Sequence, residues 1–232
     1  MIPLGDEARS RTFPFVTYAL ILANLVAFAF EFSAPNLDSF VNDYAAIPFD
    51  LTHGVQLPAP SPHPAALTLL TSQFLHGGVL HLGFNMLFLY IFGPEIEDAC
   101  GHFGYLAFYL ICGTVAGVAQ TLVDPGSHVP QIGASGAIAG VLGAYIVTYP
   151  TNSIATLVPL GFIPLFLRLP AVVVIGVWAA AQFVHGFGAL APHVLSERGG
   201  GTAYFAHIGG FVAGALGIEL FRARRVPPRR YR

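Results

Sequence analysis

The sequence predicts an all-α fold: a polytopic membrane protein built as a bundle of six transmembrane helices. Of the 232 residues, 55% are hydrophobic and only 9% are charged, and the mean hydropathy is +0.67. Soluble domains carry charge on about a quarter of their residues, so this chain lacks the polar groups to cover a water-facing surface. Six apolar segments, each near the ~20 residues that cross a bilayer, indicate six crossings.

The predicted spans are separated by connections that contain Pro, Gly or Arg. They run approximately over 13–32, 79–96, 102–123, 132–149, 170–190 and 203–221. The first is longer than the apolar core of a signal peptide, and no small-residue cleavage site follows it cleanly. We therefore expect it to remain as a transmembrane helix.

Arginine placement orients the bundle and divides the chain. Two arginines precede the first span, one lies between the fourth and fifth, and six follow the sixth, which puts nine of the ten basic residues on one side and only Arg198 on the other. The positive-inside rule then predicts that both termini are cytoplasmic. We expect a cytoplasmic N-terminal tail over 1–12, the six-helix domain over 13–222 and an Arg-rich cytoplasmic tail over 223–232.

The longest connection, about 33–78, is external in this orientation. A structureless loop of that length is uncommon in a compact domain. Its last part, 65–75, is apolar enough to form a short amphipathic element in the membrane interface.

Charge and cysteine content exclude several functions. The net charge is −2, so the chain offers no basic field to nucleic acid. Cys100 and Cys112 are too few for a disulfide scaffold or a metal cluster, and the sequence contains neither a His-Glu-x-x-His zinc motif nor a pair of membrane aspartates. A transporter or channel would carry charged or broken helices at mid-membrane, and no acid or arginine falls at that depth. We expect no metal site and no nucleic-acid partner.

A few polar residues fall inside the spans, where they are costly and indicate function. The second, fourth and sixth spans run in the same direction, and each begins with such residues. His81 and Asn85 open the second span, four positions apart and hence on one helix face. Ser135 opens the fourth and His207 the sixth. All four therefore lie at similar depth, near the external face.

Small residues recur at every fourth position in the fourth and sixth spans. They are Gly136, Gly140 and Ala144 in one, and Ala206, Gly210 and Gly214 in the other. Such stripes let helix backbones approach closely, so packing them together would bring Ser135 near His207. Gly133, two residues before Ser135, permits an unusual turn at the start of the helix.

A serine hydroxyl at this depth needs an adjacent base to act as a nucleophile, and histidine is the usual one. The amide of Asn85, the ring of His81 and the Ser135 N–H suit the stabilisation of an oxyanion. With no acid in the external halves of these spans, we expect a Ser–His dyad. Asp124 is the nearby candidate for a third member. His185 is the rival base, although its span lacks a small-residue stripe.

Four segments of the sequence match known motifs in the right order. They are Phe74-Leu75-His76-Gly77-Gly78 with His81-Leu82-Gly83-Phe84-Asn85-Met86; Gly93, Glu97 and Gly101; Gly133-Ala134-Ser135-Gly136-Ala137; and Ala206-His207 with Gly210 and Gly214. On these motifs and the six spans, the chain resembles the rhomboid family of intramembrane serine proteases, in its minimal six-helix form.

The resemblance implies a role for several of these residues. Ser135 would be the nucleophile and His207 the general base, His81 and Asn85 would help stabilise the oxyanion, and Glu97 would tie down the cytoplasmic end of the second span. The implied partners are the lipid bilayer and single-span membrane proteins, which are cut near the external face. No metal or cofactor is implied, and the expected location is the inner membrane of a bacterial cell.

The sequence leaves two questions open. A catalytically silent relative would bind transmembrane helices without cutting them, although such members usually lose the serine or the histidine, and both are present here. Many members also carry an aromatic residue four positions after the nucleophile, packed on the catalytic histidine, where this chain has Ala139. Either His207 is less tightly oriented or another ring takes that place.

Overall fold

Long apolar helices dominate the part of the chain that the computed structural model describes, residues 1–7, 10–54, 64–161, 163–188 and 203–222. In chain order the helices are α1 Phe15–Ser33, α2 Leu37–Tyr44, α3 Pro48–His53, α4 Ala65–Thr71, α5 Val79–Cys100, α6 His102–Val123, α7 Ser135–Thr148, α8 Ala171–Gly188 and α9 Tyr204–Phe221. Within these ranges five of them, α1, α5, α6, α8 and α9, are long and apolar enough to cross a membrane. The prediction of a polytopic helical bundle is confirmed.

Helix α7 is short and lies in the middle of the bundle. Its 14 residues rise about 21 Å, less than the ~30 Å core of a bilayer. Every residue from Gly136 to Tyr145 is buried, as expected for a helix whose side chains are small or apolar on every face. The helix packs against α5, α6 and α9. The predicted fourth span, 132–149, is longer than the helix, which begins only at Ser135.

The small-residue stripes of the fourth and sixth spans meet backbone to backbone. A Cβ atom on Gly210 would overlap the carbonyl oxygen of Gly136, and one on Gly214 would overlap that of Gly140. Only hydrogen fits at these crossings, so α7 and α9 approach each other as closely as helix backbones can. The close approach places the first turns of both helices side by side.

The carboxylate of Glu97, near the end of α5, binds the beginning of α1. It is fully buried and accepts hydrogen bonds from the Val16 N–H at 2.9 Å, and from the Thr17 N–H and hydroxyl, both at 2.7 Å. His102 Nδ1, at the start of α6, lies 2.6 Å from the same carboxylate. Because the N-cap residue Pro14 offers no side-chain bond, Glu97 satisfies N–H groups that the first turn of α1 would otherwise leave free.

An antiparallel sheet, which the all-α prediction did not include, lies where α5, α7 and α9 end. Among the described residues it has three strands, β1 Ile2–Asp6, β2 Ser153–Leu160 and β3 Ile163–Pro170, in the order β1-β2-β3. The Tyr145 hydroxyl donates to the Asp6 carboxylate, and the Asn152 amide donates to that hydroxyl at 2.8 Å. Part of the predicted N-terminal tail is therefore paired with a segment about 150 residues later. We call this the sheet end of the bundle and the opposite end the Ser135 end.

The long connection after α1 is folded rather than structureless in its described parts. The Asn36 side chain caps α2 by accepting the Ser39 N–H at 3.0 Å, and α3 follows. The predicted apolar element over 65–75 forms α4 and a 3₁₀ turn at Ser72–Phe74. Whether it contacts lipid stays a prediction, and the Arg-rich tail over 223–232 lies outside the described residues.

Candidate active site

Ser135 is the first residue of α7, and its turn is held from the preceding connection. Gly133 has φ +123°, a backbone conformation that favours glycine, and its N–H donates to the Ser72 carbonyl at 2.9 Å. A Cβ on Gly133 would lie 2.9 Å from the His81 ring. The glycine thus permits both the turn and the approach of His81 to the serine.

The hydroxyl of Ser135 lies 2.8 Å from Nε2 of His207. His207 is in the first turn of α9, and the glycine contacts between α7 and α9 bring the two residues together. The start of α9 is fixed by Gln120 of α6, whose Oε1 accepts the N–H groups of Phe205 and Ala206 at 3.1 and 3.2 Å. The rival base, His185, is exposed on α8, and its ring stacks on Tyr204 at 5.6 Å.

Two residues that the sequence analysis did not assign contact His207 from α8. Nδ1 of His207 lies 2.8 Å from Oε1 of Gln182, and the Trp178 ring lies 5.9 Å from the imidazole, centroid to centroid, at 40°. The position next to Nδ1 is therefore occupied by an amide, and not by Asp124, the candidate third member. The signal in the sequence was a Trp and a Gln four positions apart in the fifth span.

His81 and Asn85 face the same cavity as Ser135 from one side of α5. Asn85 is buried, and its Nδ2 has no hydrogen-bond partner among the described residues. A buried amide donor that is left unpaired is costly in a folded protein. Because Asn85 lines the same cavity as Ser135, this donor is available to a negative charge that forms there.

His76, just before α5, is buried next to His81. Its N–H donates to the Glu31 carboxylate at 2.9 Å, and its ring meets the His81 ring edge-on at 5.1 Å. Burial, with a smaller effect from His81, lowers the pKa of His76 to about 4. His76 is therefore neutral at neutral pH and adds no positive charge beside His81.

A cavity of about 1170 Å³ at the Ser135 end connects these residues. Its polar lining includes His81, Asn85, Gln120, Ser135 and His207. Its apolar lining includes Leu80, Phe84, Phe88, Ile138, Leu142 and Trp178. No group of three or more His, Cys, Asp or Glu with metal-binding geometry occurs in the described parts of the chain. The arrangement suits an extended apolar ligand held against a hydroxyl and an imidazole.

The fold and the site define a class: polytopic helical membrane proteins with a serine and a histidine paired inside the bundle. The Rhomboid domain model matches residues 63–224, and the chain belongs to the rhomboid family. This family includes serine intramembrane proteases as well as members that are not active as proteases.

Several curated proteins are similar to parts of this chain. Rhomboid-like protein 11, chloroplastic, of Arabidopsis thaliana is 41% identical over 78 residues, which are 34% of this chain and 28% of that protein. Rhomboid protease GluP of Bacillus subtilis is 39% identical over 84 residues, 36% of this chain and 16% of that protein. Rhomboid protein 1, mitochondrial, of Saccharomyces cerevisiae is 26% identical over 223 residues, 91% of this chain and 56% of that protein. The first two matches therefore cover less than a third of each relative's length.

Proposed function

We propose that this chain is an intramembrane serine protease. The observation that carries the proposal is the 2.8 Å separation of Ser135 Oγ and His207 Nε2 inside a cavity of the bundle. In the first step Oγ bonds to the carbonyl carbon of a peptide bond while Nε2 takes the hydroxyl proton. The imidazolium then gives that proton to the leaving amine, and water, activated by the same imidazole, releases the acyl group from Ser135.

The negative oxygen that forms in this step needs hydrogen-bond donors. The candidate donors are the unpaired Nδ2 of Asn85, the ring of His81 and the Ser135 N–H, all from residues that line the same cavity. Donors aimed at a developing charge in a site of low dielectric are typically worth about 3 kcal/mol each. Asn85 and His81 therefore stabilise the oxyanion in this proposal, and Glu97 has a structural role at the sheet end.

Membrane proteins with a single transmembrane segment are the substrate class. The cavity is lined by both apolar and polar side chains, which suits a segment that leaves the lipid in extended form. Hydrolysis also needs water, and the bilayer core holds almost none. In this proposal water reaches Ser135 through the cavity at that end of the bundle, so the bond to be cut has to reach the same end.

The test uses the purified full-length chain in detergent or liposomes with a panel of single-span substrates. We expect cleavage by the wild type and none by Ser135→Ala or His207→Ala, with helix content and membrane insertion unchanged. Ser33→Ala is the matched control, because among the described residues this serine bonds only the backbone of its own helix. Cleavage by Ser135→Ala would contradict the proposal. Substrate binding without cleavage by the wild type would favour a catalytically silent, helix-binding protein.

The orientation of the site is part of the proposal. We infer that the sheet end is cytoplasmic, because Arg11, Arg168 and Arg222 all lie at that end. The inner membrane of a bacterial cell stays the proposed location. Cys100 and Cys112 are buried, so single exposed cysteines can be labelled above a low background. A membrane-impermeant thiol reagent added to intact cells should label Asp38→Cys, and should label Arg168→Cys only after permeabilisation. The reverse pattern would mean that substrates are cut near their cytoplasmic ends.

A further inference from the structure

Helix α8 presents two side chains to the ring of His207. Trp178 and Gln182 are four residues apart and so share one face of the helix, and both contact the imidazole. We propose that Gln182 and Trp178 are positioning residues, which hold His207 in the tautomer and orientation that accept the Ser135 proton. The proposal rests on the proposed function, since it concerns the same base.

The chemistry of the amide determines which nitrogen of His207 carries the proton. Oε1 of Gln182 can only accept a hydrogen bond, so with the amide in this orientation Nδ1, 2.8 Å away, is the nitrogen that carries the proton. Nε2 then presents its lone pair to the Ser135 hydroxyl at 2.8 Å. The other tautomer would leave two acceptors facing each other at Nδ1, and its Nε2–H would donate to Ser135 Oγ, so that Nε2 had no lone pair to take the hydroxyl proton. The hydrogen bond to Gln182 thus selects the form of His207 that can act as a base.

Trp178 of α8 supplies the aromatic ring that many family members carry on α7, four residues after the nucleophile. Ala139, four residues after Ser135, is fully buried and has no ring to place against the imidazole. The Trp178 ring instead lies 5.9 Å from His207 and 6.3 Å from Phe211, centroid to centroid. The large, rigid Trp178 ring restricts rotation of the imidazole from one side, while the hydrogen bond to Gln182 holds the imidazole at Nδ1.

The charge of Gln182 matters as much as its geometry. Facing His207 are His81 of α5, Ser135 of α7 and the Gln120 amide of α6, while Asp124 and His128 line the cavity from the connection before α7. No carboxylate contacts His207 in the described parts of the chain. The amide therefore fixes the tautomer without stabilising the imidazolium by charge, unlike the aspartate of a serine protease triad. Replacing the amide with a carboxylate should change the pH dependence of the reaction.

The kinetic test uses the full-length enzyme with a substrate that the wild type cleaves. Gln182→Ala should lower kcat about 10- to 100-fold with KM changed less than about twofold, a smaller loss than removal of a general base. Gln182→Glu keeps the acceptor, so kcat at high pH should return to within about threefold of the wild type. Its added charge should move the midpoint of the acidic limb of the pH–rate profile upward by about one pH unit. Trp178→Ala should lower kcat, and Trp178→Phe should restore most of it.

His185→Ala is the matched control, because His185 lies on the same helix and does not contact His207. It should leave kcat and the pH profile unchanged. Nitrogen NMR of the wild type gives a readout that needs neither activity nor a variant: Nδ1 of His207 should be protonated and Nε2 unprotonated at neutral pH.

The outcomes separate this proposal from the function on which it rests. Unchanged kcat in Gln182→Ala, an unmoved pH profile in Gln182→Glu, or a protonated Nε2 in the wild type would each overturn the positioning role. Equal activity of Ser135→Ala and the wild type would overturn the protease assignment itself. If Gln182→Ala does not fold, the Gln182→Glu profile and the NMR measurement still decide the question.

Discussion

The backbone of Gly214 in α9 meets the carbonyl oxygen of Gly140 in α7 with no room for a side chain between them. The crossing lies five residues after Ser135 and seven after His207, so it fixes the separation of the two helices just beyond these side chains. The distance between Ser135 and His207 depends on this backbone contact, since no side chain acts as a spacer at the crossing.

A methyl group at this crossing should therefore weaken both the fold and the activity. We expect Gly214→Ala to destabilise the protein by about 1–3 kcal/mol, as overpacking typically does, and to reduce cleavage more than tenfold. Gly217→Ala, less than one turn away on the same helix, would place its Cβ in open space and should change neither. Thermal unfolding in detergent measures the loss of stability, and cleavage rates measure the loss of activity. Equal behaviour of the variants would show that the crossing tolerates a wider spacing.

Asn85 and His81 should affect turnover more than substrate binding. In the proposed mechanism the negative charge that they stabilise exists only near the transition state. Asn85→Ala and His81→Ala should therefore each lower kcat about tenfold to a thousandfold, with smaller changes in KM. Asn36→Ala is the control, because it removes an amide from the N-cap of α2, away from the cavity. Steady-state kinetics on one substrate make the comparison. If the double variant kept the kcat of the wild type, Asn85 and His81 would have no role in turnover and would serve only in packing.

Loss of the Glu97 carboxylate should destabilise the junction of α1, α5 and α6. Glu97→Gln keeps the shape of the side chain but turns an NH₂ group toward the donor groups of Val16 or Thr17. Each buried N–H left unpaired lowers the free energy of unfolding by about 1–3 kcal/mol. Glu219→Gln is the matched control, since Glu219 is 62% exposed and its ion pair is with Arg222. Exposed pairs contribute about 0–1 kcal/mol. Thermal unfolding in detergent should therefore separate the two variants clearly, and equal midpoints would contradict a structural role for Glu97.

The buried His76 should make the protein less stable in acid. Its pKa is lowered from 6.5 to about 4 on folding, so between these values the unfolded chain takes up a proton that the folded chain does not. Stability contributed by this group is therefore present above pH 6.5 and decreases as the pH falls toward 4, by about 1–2 kcal/mol at pH 5. Unfolding midpoints at pH 7.5 and 5 should differ less in His76→Asn than in the wild type. The exposed control, His53→Asn, should keep the wild-type difference.

The sequence by itself determined the bundle and the main pair of the candidate site. Apolar segments long enough to cross a bilayer define the helices, because hydropathy and length are local properties. The depth of Ser135 and His207 follows from counting residues along helices that run in the same direction. Their proximity could be predicted because small residues at every fourth position allow one close packing of α7 on α9.

Only the tertiary structure decided which groups surround that pair. The bonds from His207 to Gln182, from Gln120 to the start of α9 and from Glu97 to Thr17 join helices whose rotation about their own axes no local pattern fixes. The sheet was missed for a related reason, since β1 acquires its hydrogen bonds from a strand about 150 residues away. Helix formation depends on neighbours along the chain, whereas the partners of a buried polar group depend on how whole elements pack, and that is settled only when the bundle is assembled.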